Sequence, residues 1–245
     1  MRGGVVVSVA RLCFSCIDHN TEGKRMRDEN EHVKLNEAKW NRWASSLDGK
    51  GWRYEFLRKA QLGVISFLGI CEDIHFLDIG CGTGWAVGQA SERFAGKGVF
   101  YGVDLSDKMI AKAKENFDGR GNMRFVTADA ELVPLESNFF DIIICTNSFH
   151  HYLHPDKALQ EMHRLLRDGG QVYILDPTAD NWITKLADKV MRLIEPQHVK
   201  MYGTQEFQSL FETAGLIYLR SNEVAPYQIV HIAKKQTEIN GPILS

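Results

Sequence analysis

Leu77-Asp78-Ile79-Gly80-Cys81-Gly82-Thr83-Gly84 is the stretch from which the rest of the chain is read. It closes an apolar run, His75 to Ile79, that reads as a buried strand. It opens onto Trp85 to Phe94, which carries a helical pattern. Glycines in such a turn let the chain bend tightly and let a ligand approach the backbone. In open α/β sheets, ligands bind beyond the carboxyl ends of the strands.

Outward from that turn, strand and helix patterns alternate. Strands are expected at 98–104, 123–127, 140–145 and 171–175, with helices at 106–117 and 155–166. Ile142-Ile143-Ile144 is an uninterrupted β-branched run, as in a strand buried on both faces. Ser106 is placed to cap one helix, and Asp168-Gly169-Gly170 to stop another. Upstream, residues 35–69 read as helix, broken by a turn at Asp48-Gly49-Lys50-Gly51. Downstream, helices are expected at 181–194 and 204–214, the latter capped by Thr204. The final strands at 216–220 and 227–234 are joined around Asn222, a link short enough to demand an antiparallel pair. The expected fold class is α/β: a doubly wound, mostly parallel seven-stranded sheet with an antiparallel last strand.

Length and composition narrow the function classes. The chain has 245 residues and a net charge of −2. A single domain over 26–235 is expected, with no general electrostatic grip on nucleic acid. Residues 177–203 form an insertion and a candidate lid. Five cysteines without a disulfide rhythm suit a reducing, cytoplasmic compartment. Cys13 and Cys16 lack a second ligand pair, so no metal site is expected. The apolar run at 5–17 is shorter than the roughly 20 residues that cross a bilayer, so no membrane span is expected. Residues 1–25 are expected to be a disordered tail or an extension ahead of a natural start at Met26, and 236–245 a second tail.

The ligand type follows from what stands around the glycines. Asp104 closes the next strand, where an acid can accept both ribose hydroxyls of an adenosine. A dinucleotide-binding turn wants G-x-G-x-x-G facing a pyrophosphate. Here glycine falls at 80, 82 and 84, and the position where the third glycine would stand is Trp85. The ligand reads as a nucleoside without a pyrophosphate. Asp129, after the third strand, either meets an adenine amino group or caps its own loop.

Several strings in order resemble the class I methyltransferases that use S-adenosylmethionine, in the branch that includes the ubiquinone and menaquinone biosynthesis methyltransferases. They are LDIGCGTG (77–84), YGVDLS (101–106), TADAELVPLESNFFDIIICTNSFHHYLHP (127–155), LLRDGGQVYILDP (165–177) and TQEFQSLFETAGL (204–216). The resemblance covers about residues 35–235 and implies the Rossmann-like methyltransferase fold. It implies that Asp78, Gly80, Cys81 and Gly82 hold the methionine portion of the cofactor. Asp104 and Leu105 would hold the ribose and flank the adenine, Asp129 and Ala130 would meet the adenine edge, and Asn147 would lie close to the sulfonium. The Trp40-Asn41-Arg42-Trp43 segment is similar to one that closes over the cofactor, with Trp where Tyr or Phe is usual.

The implied function is methyl transfer from S-adenosylmethionine to a small-molecule acceptor, leaving S-adenosylhomocysteine. His150 and His151 are the candidates to take the acceptor's proton; His198 and Tyr202 are further candidates. The apolar helix of the insertion would roof an acceptor, pack on the core, or meet a second subunit in a homodimer. Two other readings stay open: a non-catalytic binder of S-adenosylmethionine, and a nicotinamide-dependent oxidoreductase, against which Trp85 counts.

Overall fold

Every second residue of the inner strands faces the opposite side of the sheet, and both sides are dry. Leu77, Ile79, Ile143 and Cys145 join one apolar cluster; Ile74, Phe76, Ile142 and Ile144 join the other. This is why β1 and β4 read as continuous apolar runs rather than as alternation. The computed structural model describes residues 29–44, 52–69, 72–195 and 197–237. The expected tail at 1–25, Cys13 and Cys16, the turn at 48–51 and the last eight residues lie outside them.

The helices α1 (Glu29–Ala44) and α2 (Trp52–Phe67) precede β1 (Ile74–Ile79). Then come α3 (Trp85–Arg93), β2 (Gly98–Asp104), α4 (Asp107–Asn116), β3 (Met123–Thr127) and β4 (Phe140–Thr146). The chain continues through α5 (Pro155–Leu165), β5 (Leu166–Pro177), α6 (Trp182–Ile194), α7 (Thr204–Thr213), β6 (Leu216–Ala225) and β7 (Gln228–Lys235). The strands form one sheet in the order β3-β2-β1-β4-β5-β7-β6, with β7 antiparallel to both neighbours. The α/β fold with its antiparallel last strand is therefore as the sequence implied. Residues of α2, α3 and α4 cover one face of the sheet; residues of α5 and α7 cover the other.

The strand order reverses between β1 and β4. The connections that leave their carboxyl ends therefore run to helices on opposite faces and leave a crevice, which is where such sheets place ligands.

Three local expectations are corrected, and a fourth holds. The hairpin joining the last strands turns at Pro226-Tyr227; Asn222 sits inside β6, opposite Val230. The helix α5 ends at Leu165, and Asp168-Gly169-Gly170 belongs to β5, where the register shifts against β4. A two-glycine signal marks an irregular strand entry as readily as a helix stop. Thr204 does not cap α7: its amide and hydroxyl both donate to Asp180, and the cap position is Gly203, whose amide donates to Glu206. The cap at Ser106 is present, with its Oγ accepting from the Met109 amide at 3.1 Å.

The segment between β3 and β4 carries Asp129 and Ala130, and one clasp holds it against α5. The Glu161 carboxylate accepts from the Val133 amide at 2.8 Å and pairs with Arg164, which donates to the carbonyls of Val133 and Leu135. Removing the carboxylate leaves a buried amide without an acceptor, at a cost of about 1–3 kcal/mol. Glu161→Ala is expected to lower the urea midpoint accordingly and to speed amide exchange within 128–137. Unchanged exchange there would show that the segment is held by other contacts.

Candidate functional site

At the carboxyl end of β1 the backbone turns through three left-handed glycines, with φ of +79° at Gly80, +52° at Gly82 and +81° at Gly84. The turn is pinned to β2 twice. The Gly80 and Cys81 amides both donate to the Val103 carbonyl, and the Gly82 amide donates to Asp104 Oδ2 at 2.8 Å. The other Asp104 oxygen accepts from the Ser106 amide at 2.9 Å. Ionised carboxylate oxygens have four acceptor sites between them, so Asp104 retains capacity after both bonds. Burial raises its pKa, while those two amides pull it back.

The glycines do different work. A Cβ on Gly80 would collide with the Ser148 side chain, so glycine here lets the turn touch the loop after β4. A Cβ on Gly82 would meet nothing within 4 Å among the described residues. Cys81 is buried, with its thiol lying against Gly102 and pushed up by burial, so it packs the turn rather than offering a thiolate.

Asp78 stands directly under the turn and is 0% exposed. Neither of its carboxylate oxygens has a hydrogen-bond partner among the described residues. Burial, and then the nearby Asp104 charge, push its pKa up to about 8. A buried carboxyl without donors is costly, and a cationic ligand group is what would satisfy it. Across the crevice, Asn147 closes β4 in a left-handed conformation (φ +53°), its amide bonded to the Leu175 carbonyl at 2.7 Å and its Nδ2 buried without a partner. Leu105 is half-buried beside Asp104, and Ala130 is buried. Asp129 Oδ1 accepts from the Glu131 amide at 2.9 Å, so it does turn its own loop. These residues surround one edge of the sheet. Its carboxyl groups can accept hydrogen bonds from a ligand's ammonium or hydroxyl groups.

The helix α1 crosses that edge from above. Asn41 accepts from Ser106 Oγ at 2.6 Å, and Trp40 sets its ring edge to face with His151 at 5.4 Å between centroids. Trp40 and Asn41, from the segment expected to close over a ligand, thus lie against the loops at that edge.

The loop after β4 gathers imidazoles. His150 and His151 lie 4.0 Å apart by ring centroid, and His198 lies 5.4 Å from His150. Among the described residues no group of histidine, cysteine or carboxylate side chains has a metal-holding arrangement. The two sequence candidates part ways here. His150 Nδ1 lies 2.8 Å from Asp176 Oδ1 at the end of β5. This pairing leaves Nε2 as the ring atom able to face a ligand. His151 instead donates from Nδ1 to the Gln197 carbonyl at 2.9 Å and packs under Trp40. Burial, His198 and Lys39 lower the His150 pKa to about 3; burial and His150 lower that of His151. Burial pushes the Asp176 carboxyl up, with the His150 backbone amide and then His198 opposing it.

A second pair escaped the sequence reading. His198 Nε2 lies 2.8 Å from Asp188 Oδ1, which also accepts from the Met201 amide at 2.7 Å. Although burial pushes the Asp188 carboxyl up, Met201, His198 and Arg192 together hold it below its ordinary value. Asp188 lies on α6, and its one sequence signal is a carboxylate among apolar residues. Its partner stands ten residues away, so no local spacing rule links them. Thr178 and Tyr202 form a bridge at the base of this excursion, so the insertion leaves and re-enters the body at one point.

Comparison with known proteins bears on the whole arrangement. A family model described as a methyltransferase domain matches residues 77–174. The chain is 36% identical over 111 residues to the ubiquinone/menaquinone biosynthesis C-methyltransferase UbiE of Idiomarina loihiensis, an overlap of 44% of each chain. It is 30% identical over 168 residues to the uncharacterized methyltransferase YcgJ of Bacillus subtilis, covering 66% of this chain and 65% of the relative. The chain thus spans 44% and 65% of these two relatives' lengths. A solved S-adenosylmethionine-dependent methyltransferase from Aquifex aeolicus superposes with a TM-score of 0.64 at 22% identity, over 79% of this chain and 97% of that one, a likeness of fold. The cofactor of such domains is S-adenosylmethionine, and S-adenosylhomocysteine is what remains after transfer. Motif order, sheet topology and these likenesses agree: residues 77–174 match a methyltransferase domain, and the chain is similar to the class I S-adenosylmethionine-dependent methyltransferases, the UbiE-type enzymes among them.

Proposed function

We propose that this chain transfers a methyl group from S-adenosylmethionine to a small-molecule acceptor whose proton is taken by His150. The observation that carries the cofactor half is the fully buried carboxyl of Asp78, without a partner among the described residues, beneath a glycine turn where a Cβ at Gly82 would meet none of those residues within 4 Å. Asp78, with the backbone of Gly80, Cys81 and Gly82, holds the methionine end. Asp104 has lone pairs left for the ribose, Leu105 flanks the adenine, and Asp129 with Ala130 meets its edge. Asn147 directs its unpartnered Nδ2 near the sulfur.

The bound cofactor supplies a methyl group on a positively charged sulfur, already activated for in-line displacement. The chain therefore contributes position, dryness and proton handling. Asp176 orients the His150 ring by its contact at Nδ1, and Nε2 receives the acceptor's proton. Asp176 is a positioning residue in this scheme. His151, His198 and Trp40 wall the same space and exclude water.

Three measurements test this reading. A thermal-shift series with S-adenosylmethionine, S-adenosylhomocysteine and NAD is expected to show stabilisation by the first two, since a ligand that binds only the native state raises its stability. Stabilisation by NAD alone would restore the oxidoreductase reading.

The second concerns the proton on Asp78. Free Asp78, with its pKa near 8, is protonated at pH 7; beside a cation it ionises. Cofactor binding at pH 7 is therefore expected to release a proton. Affinity should rise with pH and level off above about 8. Calorimetry in buffers of differing ionisation enthalpy reads this directly, and Asp78→Asn should abolish the release. Proton uptake, or none, in the unaltered chain would contradict the placement of Asp78.

The third separates His150 from a packing role. His150→Gln is expected to lower turnover of labelled donor by about 10²–10⁴ while S-adenosylhomocysteine affinity stays within a few-fold. The deprotonated His150–Asp176 pair is the active form. Activity is present above the pair's apparent pKa and lost as pH falls through it, and Asp176→Asn should remove that limb. A wild-type rate and profile in both variants would assign His150 and Asp176 to packing and make the transfer independent of them.

A further inference from the structure

The helix α6 is inside out. Its buried face is polar: Thr184 and Asp188 point inward, the former to the Asn181 cap and the latter to His198 and Met201. Its outer face is apolar. Trp182 is 74% exposed and Leu193 83%, and Ile183, Leu186, Val190 and Ile194 are all exposed between them. At 100° per residue these six side chains fall on one continuous arc. A patch of this kind on a helix marks an interaction surface.

One long border of the arc is cationic. Lys185 and Lys189 are exposed alongside Trp182 and Leu186, and Arg192 follows on the same side, paired with Asp188. The only carboxylate on the helix, Asp188, is buried and already engaged. A second copy of the same face would thus bring lysines and no anion to meet them. An apolar strip with an interfacial tryptophan and a lysine border instead matches the boundary of an anionic bilayer, where apolar side chains enter the acyl region and lysines remain among the headgroups. No described helix is long and apolar enough to cross a membrane, so the contact is one of lying on the surface.

We propose that α6 docks this protein on anionic lipid surfaces, with Trp182, Leu186 and Leu193 entering the bilayer and Lys185 and Lys189 on the headgroups. Because the inner side of the same helix carries Asp188 and, through it, His198, the docked surface lies immediately behind the histidine wall of the crevice. An apolar acceptor held in the bilayer would then be near the site. The docking itself does not depend on the methyl-transfer reading.

Vesicle co-sedimentation of the full chain tests it, with phosphatidylcholine alone and with phosphatidylcholine containing phosphatidylglycerol. Binding to the anionic vesicles is expected to exceed binding to the neutral ones by roughly tenfold or more, and high salt should erase the excess. L186E/L193E is expected to lose at least about tenfold of the binding to anionic vesicles, with thermal unfolding and S-adenosylhomocysteine affinity unchanged because both leucines are exposed. K185E/K189E should lose the anionic preference alone, and it decides the matter if the leucine variant fails to fold. The proposal is overturned by absence of binding to either vesicle, by equal binding to both, or by a concentration-dependent dimer that the leucine variant dissolves, which would assign the face to a second copy.

Discussion

The site depends on one constraint: the turn after β1 must bend sharply while its amides stay bonded at a sheet edge. Three left-handed positions would each strain a residue bearing a Cβ, and glycine removes that strain. The Val103 carbonyl and the Asp104 carboxylate then fix where the turn sits relative to β2. Asp104 therefore has a structural duty before any ligand arrives. Contact between Gly80 and Ser148 carries the same fixation across to β4, so the two sides of the crevice are set by one short loop.

Around that loop the protein keeps ionisable groups in a dry place, and their behaviour follows from who their neighbours are. Asp78 has no donor, and burial drives it toward the neutral form. Asp188, buried less deeply, has three partners that hold its carboxyl below the ordinary value. His150 and His151 are adjacent in sequence yet differ in use, because one meets a carboxylate and the other a carbonyl. Neutral imidazoles result in both cases, and only His150 is backed by an acid.

The insertion ties this interior to the outside. In a helix folded for its own core, the apolar stripe faces inward. In α6 the polar residues face inward because the histidine wall needs a carboxylate there, and the apolar residues are left on the surface. Of the places open to that stripe, the core is therefore the one it does not take.

The sequence by itself determined the sheet, the glycine turn and its acidic neighbours, because period, chain reversal and left-handed backbone are local properties that each leave a residue-type signature. Most strand limits and the Ser106 cap were legible on the same grounds. The tertiary structure alone decided which histidine meets an acid, that Asp176 and Asp188 are the acids, that Asp104 also braces the turn, and which face of α6 is outside. Those outcomes depend on residues brought together from separate strands and helices, and on where water is excluded, and neither leaves a spacing that can be read along a single chain.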